Sequence, residues 1–207
     1  AEWRRAITRS AEVITVMVIC FGVANILIDL GRIDRMLNII FHANFRSPLL
    51  WDVVSINCYL TGSVIYLYLP LIPDIAILRD TLTRRRWFYR FLALGWTGTH
   101  RQHVILERCI GVMAIFVLPL AISVHTVVSF VFAMTVQPMW HSAIFGPYFV
   151  VGAIYSGIGA LLTAMVILRW AYRLEDYFRE VHFDYLGTLL LVMTCLWFYF
   201  TFTEFLT

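Results

Sequence analysis

Asp29, Arg32 and Asp52 flank the connection between two long apolar runs, which puts two carboxylates and a guanidinium at one depth of the molecule. Two neighbouring carboxylates raise the pKa of one of them, and a nearby arginine offsets that effect. Such a set can form a proton-accepting pocket. The plainer reading is a group of interfacial charges, with Asp52 following "RSPLLW" near a helix N-terminus, where negative charge is favoured. Arg32, three residues after Asp29, shares its face if the helix continues. Spacing alone favours the plainer reading.

Other ionisable groups lie in or beside apolar runs. His125 stands about twenty residues into the third run, in "SVHTVVSF", nearer its outer end. A histidine at membrane depth faces a bundle interior, either as a core group satisfied by Ser123 or Ser129 or as a ligand. His42 and His141 are in outer loops, His100 and His103 in an inner loop, and His182 at an inner end. No two histidines pair at membrane depth, so a bis-histidine haem is not expected. Asp74, in "PLIPDIAILRD", falls near the inner end of the second run, and Glu204 near the outer end of the last, with Asp184 at its inner end. Asp74, Glu204 and Ser129 are candidate steps of a proton path, and Asp74 is as readily a partner of Arg79.

The elements that carry these residues follow from composition. The 207 residues are 61% hydrophobic and 14% charged, with a mean hydropathy of +0.79. Soluble domains carry roughly 25% charge, so lipid is the expected solvent. Five runs are long enough to cross about 30 Å of hydrocarbon: 11–30, 50–77, 105–134, 148–169 and 184–206. None alternates as a barrel strand would. The expectation is an all-α, polytopic transmembrane bundle, one membrane domain over 1–207. The run after "AEWRRAITRSAE" is too long for a signal-peptide core, and no A-x-A site follows it. The glycines Gly152, Gly157 and Gly159 with Ser156 form a small-residue patch that predicts tight helix packing.

All 16 basic residues are arginine, and a net charge of +3 is too small to imply nucleic acid. Thirteen arginines fall with the N-terminus and the 78–108 and 169–183 connections. Three (Arg32, Arg35, Arg46) fall on the other side. The positive-inside rule makes the first side cytoplasmic, with the N-terminus inside. "TRRRWFYR" is mainly a topology determinant and secondarily a binding region for anionic lipid. Trp51, Trp87, Trp96, Trp140 and Trp170 gather near the run ends as an interface belt. Cys20, Cys58, Cys109 and Cys195 each sit alone in an apolar run and read as small apolar residues. The uncharged "QPMWHSAIFGP" reads as lying flat on the membrane or against a partner.

The blocks "FRSPLLWDV", "YLPLIPDIAILRD", "LALGWTGTHRQH", "SVHTVVSFVFA", "PMWHSAIFGPYFVVGAIYSG" and "YFTFTEF" resemble the quinol-interacting membrane subunit of bacterial alternative complex III. That subunit belongs to the broader NrfD family of polysulfide-reductase membrane anchors. The resemblance covers nearly the whole chain. It implies about ten spans in two four-helix bundles, of which this chain matches roughly the third to seventh helices, a half-bundle open at both edges. It also implies oxidation of menaquinol or ubiquinol near the periplasmic face of a bacterial inner (cytoplasmic) membrane, with proton translocation. Electrons would pass to a ferredoxin-like iron–sulfur subunit docked there and on to multihaem cytochrome c subunits, beside a paralogous membrane subunit. Iron–sulfur clusters and haem c would sit in those partners and no metal in this chain. The resemblance makes Asp52, Asp29, Arg32, His125 and Trp51 the candidate quinone-binding and proton-accepting set.

Two positions depart from the family pattern. Where it reads L-H-x-G-R-P, this chain has "IDLGRI": Asp29 replaces the histidine and Ile33 the proline, while Gly31 and Arg32 remain. An aspartate can accept a proton but cannot act as a neutral imidazole. Val131 stands where an acidic residue is expected. Two other functions therefore stay open: the anchor of a molybdopterin-type oxidoreductase, and a non-catalytic or proton-conducting scaffold with a decayed quinone site. A solute transporter is not expected, since no substrate-shaped polar constellation lies at mid-membrane.

Overall fold

The computed structural model describes residues 3–29, 31–82, 86–135 and 144–206, with side chains from Thr8 onward except those of Arg9, Asp29, Met134 and Thr135. All secondary structure among these residues is helical: α1 (Trp3–Asp29), α2 (Asn38–Phe41), α3 (Pro48–Thr81), α4 (Arg86–Leu92), α5 (His100–Thr135), α6 (Phe145–Tyr172) and α7 (Glu180–Leu206). A 3-10 turn, Ile33–Arg35, precedes α2. Five helices (α1, α3, α5, α6 and α7) are long and apolar enough to cross a membrane, and they correspond to the five apolar runs. At most 17% of the most apolar stretch of any of them is buried within the chain. The remainder requires lipid or further protein around it.

Local chemistry sets the helix ends. Pro48 occupies the first turn of α3 after an extended Ser47, where its fixed φ helps and its missing N–H costs nothing. The start of α5 is a capping box in "TGTHRQ". The Thr99 hydroxyl accepts the Gln102 N–H at 3.4 Å, and the Gln102 carboxamide oxygen accepts the Thr99 N–H at 3.3 Å and the Thr97 N–H at 2.9 Å. Gly95 and Gly98, at φ +70° and +75°, supply the left-handed residues of that turn.

α3 and α5 have 34 and 36 residues, roughly 50 Å at 1.5 Å per residue, so both overshoot the hydrocarbon. Past the inner end of α3 the chain doubles back, and α4 packs along α3. The Tyr68 hydroxyl donates to the Leu92 carbonyl, and Arg79 Nη1 donates to the Trp96 carbonyl at 2.9 Å. We expect Tyr68→Phe to cost about 1 kcal/mol, read as roughly fivefold faster hydrogen exchange at the Trp96 amide.

The spans close on themselves. α1 packs on α3, α3 on α5, α5 on α6, and α6 returns to α1. Four helices thus make a ring, and α7 packs outside it on α6. The glycine patch is corrected. Only Gly152 receives a neighbour: a β-carbon there would lie 3.2 Å from Trp197 Nε1, while Gly157 and Gly159 face open space. Trp197 stacks between Tyr148 (6.1 Å, 21°) and Tyr155 (5.8 Å, 15°). At the inner end, Met165, Phe178 and Leu186 form a second α6–α7 contact.

Candidate functional site

Asp52 lies in the second turn of α3, at the outer end of the ring in the orientation that the arginines give. One carboxylate oxygen, Oδ1, is buried and has no hydrogen-bond partner among the described residues. Nearby polar side chains are already satisfied: Ser55 donates to the Asp52 carbonyl at 3.0 Å and Asn57 to the Val53 carbonyl at 2.7 Å. Trp51 is 51% exposed, and its indole N–H is committed to the Phe45 carbonyl at 2.9 Å. It pins the loop before α3 and leaves only its ring face for a ligand.

The other two members of the outer trio fare differently. The side chain of Asp29 lies outside the described residues. Arg32 does not continue α1, as the shared-face expectation required. Gly31 turns left-handed at φ +65°, and Arg32, exposed, begins the 3-10 turn at φ −127°. A glycine in that region ends the helix because it has no Cβ to clash.

Below Asp52, α3 carries a polar stripe. Asp52, Tyr59, Ser63 and Tyr66 recur at spacings of seven, four and three, which is one helix face. Tyr59 meets His125 of α5 edge to face at 6.3 Å, and it also interacts with the Ser63 hydroxyl without forming a hydrogen bond of normal geometry. His125 is satisfied by neither Ser123 nor Ser129, which was one of the two readings that the sequence left open. Its Nδ1 lies 2.6 Å from the Ala121 carbonyl; a carbonyl only accepts, so Nδ1 carries a proton there. The Ser129 hydroxyl, fully buried, donates to the Thr126 carbonyl at 2.7 Å.

Among the described residues the buried polar side chains are Glu12, Ser63, Ser129 and His182. The first three come from α1, α3 and α5, one from each of three ring helices. Glu12, 8% exposed, was overlooked in the sequence because it reads as the flank of the first run. The available signal was its place inside that run: an acid buried at membrane depth costs several kcal/mol and persists for a reason. Tyr59 and Ser63 were equally legible, since their spacing from Asp52 is helical.

The proposed proton-path residues separate. Ser129 belongs to the ring interior. Asp74 is half-buried at the inner end of α3 and makes its own contacts. It does not take Arg79, whose guanidinium engages Asp80 at 2.8 and 2.9 Å and the Trp96 carbonyl. Glu204 sits on α7, outside the ring, with Oε2 buried and unpartnered among the described residues. His182 caps the α7 N-terminus by accepting the Arg179 N–H at 2.9 Å. Trp140, His141 and the rest of 136–143 lie outside the described residues.

No three His, Cys, Asp or Glu side chains among the described residues are placed to hold a metal ion. An open, mostly apolar cleft of about 400 Å³ between α3 and α5 is lined by Asn57, Cys58, Thr61, Met113, Phe116 and Leu120, among others. Its α3 residues lie on the face opposite the Asp52 stripe, so cleft and carboxylate are separate features.

Fold and site together define a polytopic helical membrane protein with a polar stripe inside a four-helix ring. The family model "Polysulphide reductase, NrfD" matches residues 2–205, and the chain belongs to that family. It is also 31% identical over 151 residues to a Halobacterium salinarum protein whose assigned name is that of a dimethyl sulfoxide reductase membrane subunit. The match covers 72% of this chain and 32% of that protein, so the chain spans about a third of the length of the curated relative. It is thus a membrane protein of a family of oxidoreductase membrane subunits.

Proposed function

We propose that the chain is the quinol-reactive part of a respiratory oxidoreductase membrane subunit, with Asp52 as the proton acceptor at the periplasmic face of a bacterial inner membrane. The observation that carries this is Asp52 Oδ1 at the outer end of the ring, buried and without a hydrogen-bond partner among the described residues. A quinol hydroxyl supplies the donor that this oxygen lacks, and quinol oxidation needs an acceptor within hydrogen-bond reach. Bound there, the quinol would supply two electrons and two protons. Asp52 takes one of these protons at Oδ1, and the other leaves to the outer water at the lipid boundary. Tyr59, His125, Ser129 and Glu12 extend polar groups inward from Asp52, which suits proton movement. Electrons leave toward an iron–sulfur subunit on the outer face. Menaquinone or ubiquinone would fill this role, and Trp51 and Arg32 would border the entrance.

Two assemblies compete. The sequence blocks favour an alternative-complex-III type with multihaem cytochrome c and a paralogous membrane subunit, whereas the assigned name of the halobacterial relative favours a molybdopterin-type partner. Subunits that co-purify with the intact complex decide between them: haem c supports the first and a molybdopterin protein the second. If a quinol-site inhibitor fails to bind the intact complex, both give way to a scaffold role.

A further inference from the structure

The hairpin formed by the inner end of α3 and by α4 has a surface that the electron-transfer reading does not use. Asp52 and Tyr68 are sixteen residues apart on α3, about 24 Å along the helix. With Asp52 at the outer boundary of about 30 Å of hydrocarbon, Tyr68 lies within the inner leaflet. Its bond to the Leu92 carbonyl therefore holds the C-terminal end of α4 at the inner lipid boundary. There Trp87, Phe88, Phe91 and Leu94 are 72, 48, 75 and 67% exposed, while Ala93 is fully buried. Four large apolar groups open on one short hairpin suit acyl chains and not water.

The charges beside them are unequal. Asp80 is held by Arg79 and also feels the charge of Arg86. Arg90 is exposed and has no partner among the described residues. It lines a shallow cleft with Trp87 and Phe91. The side it occupies holds thirteen of the sixteen arginines, the side where an anionic leaflet is attracted.

We propose that this hairpin seats an anionic phospholipid of the inner leaflet, with the Arg90 guanidinium on its headgroup phosphate and Trp87 and Phe91 against its acyl chains. The membrane complex as purified is titrated with phosphatidylglycerol or phosphatidylcholine and read by native mass spectrometry. The expected result is a single-lipid adduct that prefers phosphatidylglycerol. Arg90→Gln weakens that adduct about fivefold, the effect of one arginine at an anionic surface, and leaves the phosphatidylcholine adduct unchanged. Equal affinity for the two lipids, or an unchanged Arg90→Gln adduct, overturns the proposal. Because Arg90 is exposed, the variant retains the fold. A second measurement reads quenching by brominated phosphatidylglycerol in the wild type against Trp87→Phe. A Trp87-dependent component supports the lipid seat, and its absence overturns it.

Discussion

Asp52→Asn is expected to lower quinol-dependent electron transfer by at least about 100-fold, the low end of what a positioned general base contributes. Asparagine keeps the volume and planar shape of the side chain but cannot take a proton at Oδ1. Assembly should be unchanged, because Oδ1 makes no hydrogen bond among the described residues and its removal orphans nothing. The measurement is steady-state quinol oxidation by the intact complex, beside its size-exclusion profile. Full activity in a well-assembled Asp52→Asn complex ends the assignment. Glu204→Gln is the matched control: Glu204 Oε2 is also buried and unpartnered among the described residues, but it lies on α7, outside the ring. Loss of activity in that variant instead would move the site to α7.

The second large effect is structural. Trp197→Ala should weaken docking of the outer half of α7 by about 2 kcal/mol, since each of two aromatic stacks is worth ~1 kcal/mol. In lipid the displaced helix stays inserted, so packing is lost without the usual cost of exposing apolar surface to water. The inner half should persist, because Met165, Phe178 and Leu186 hold it separately. Hydrogen exchange along α7 reads the difference: faster beyond Trp197 and unchanged near Leu186. Uniform exchange across α7 would mean that the stack holds nothing. Gly152→Ala should give a milder version, about 1 kcal/mol, because its methyl would sit 3.2 Å from the indole nitrogen and push the ring outward.

These two sites differ in how visible they were. Asp52 could be found in the sequence because a carboxylate at the head of an apolar run violates local composition, and arginine counting assigned its side. Trp197 could not be singled out, being one aromatic among many in a run that reads "LWFYFTF". Its partner glycine was noticed but grouped with Gly157 and Gly159, which share its type and not its neighbour. Arg32 shows the opposite failure. Continuing the helix was reasonable from Asp29 onward, and the left-handed turn at Gly31 broke it.

Hydropathy, charge and length accumulate along the chain independently of packing. They determined the five spans and the all-helical class, and they are what the proposal of an outer position for Asp52 rests on. Which helices touch was another matter. Helices that are apolar on every face carry no periodic mark of the face that packs, and lipid does not penalise the choice as water would. The tertiary structure alone decided that α6 returns to α1 and that Glu12, Ser63 and Ser129 are enclosed. It also decided that Tyr59 meets His125 and that the Asp52 oxygen is buried with no donor among the described residues. Burial and partnership are properties of neighbours, and neighbours come from closing the ring.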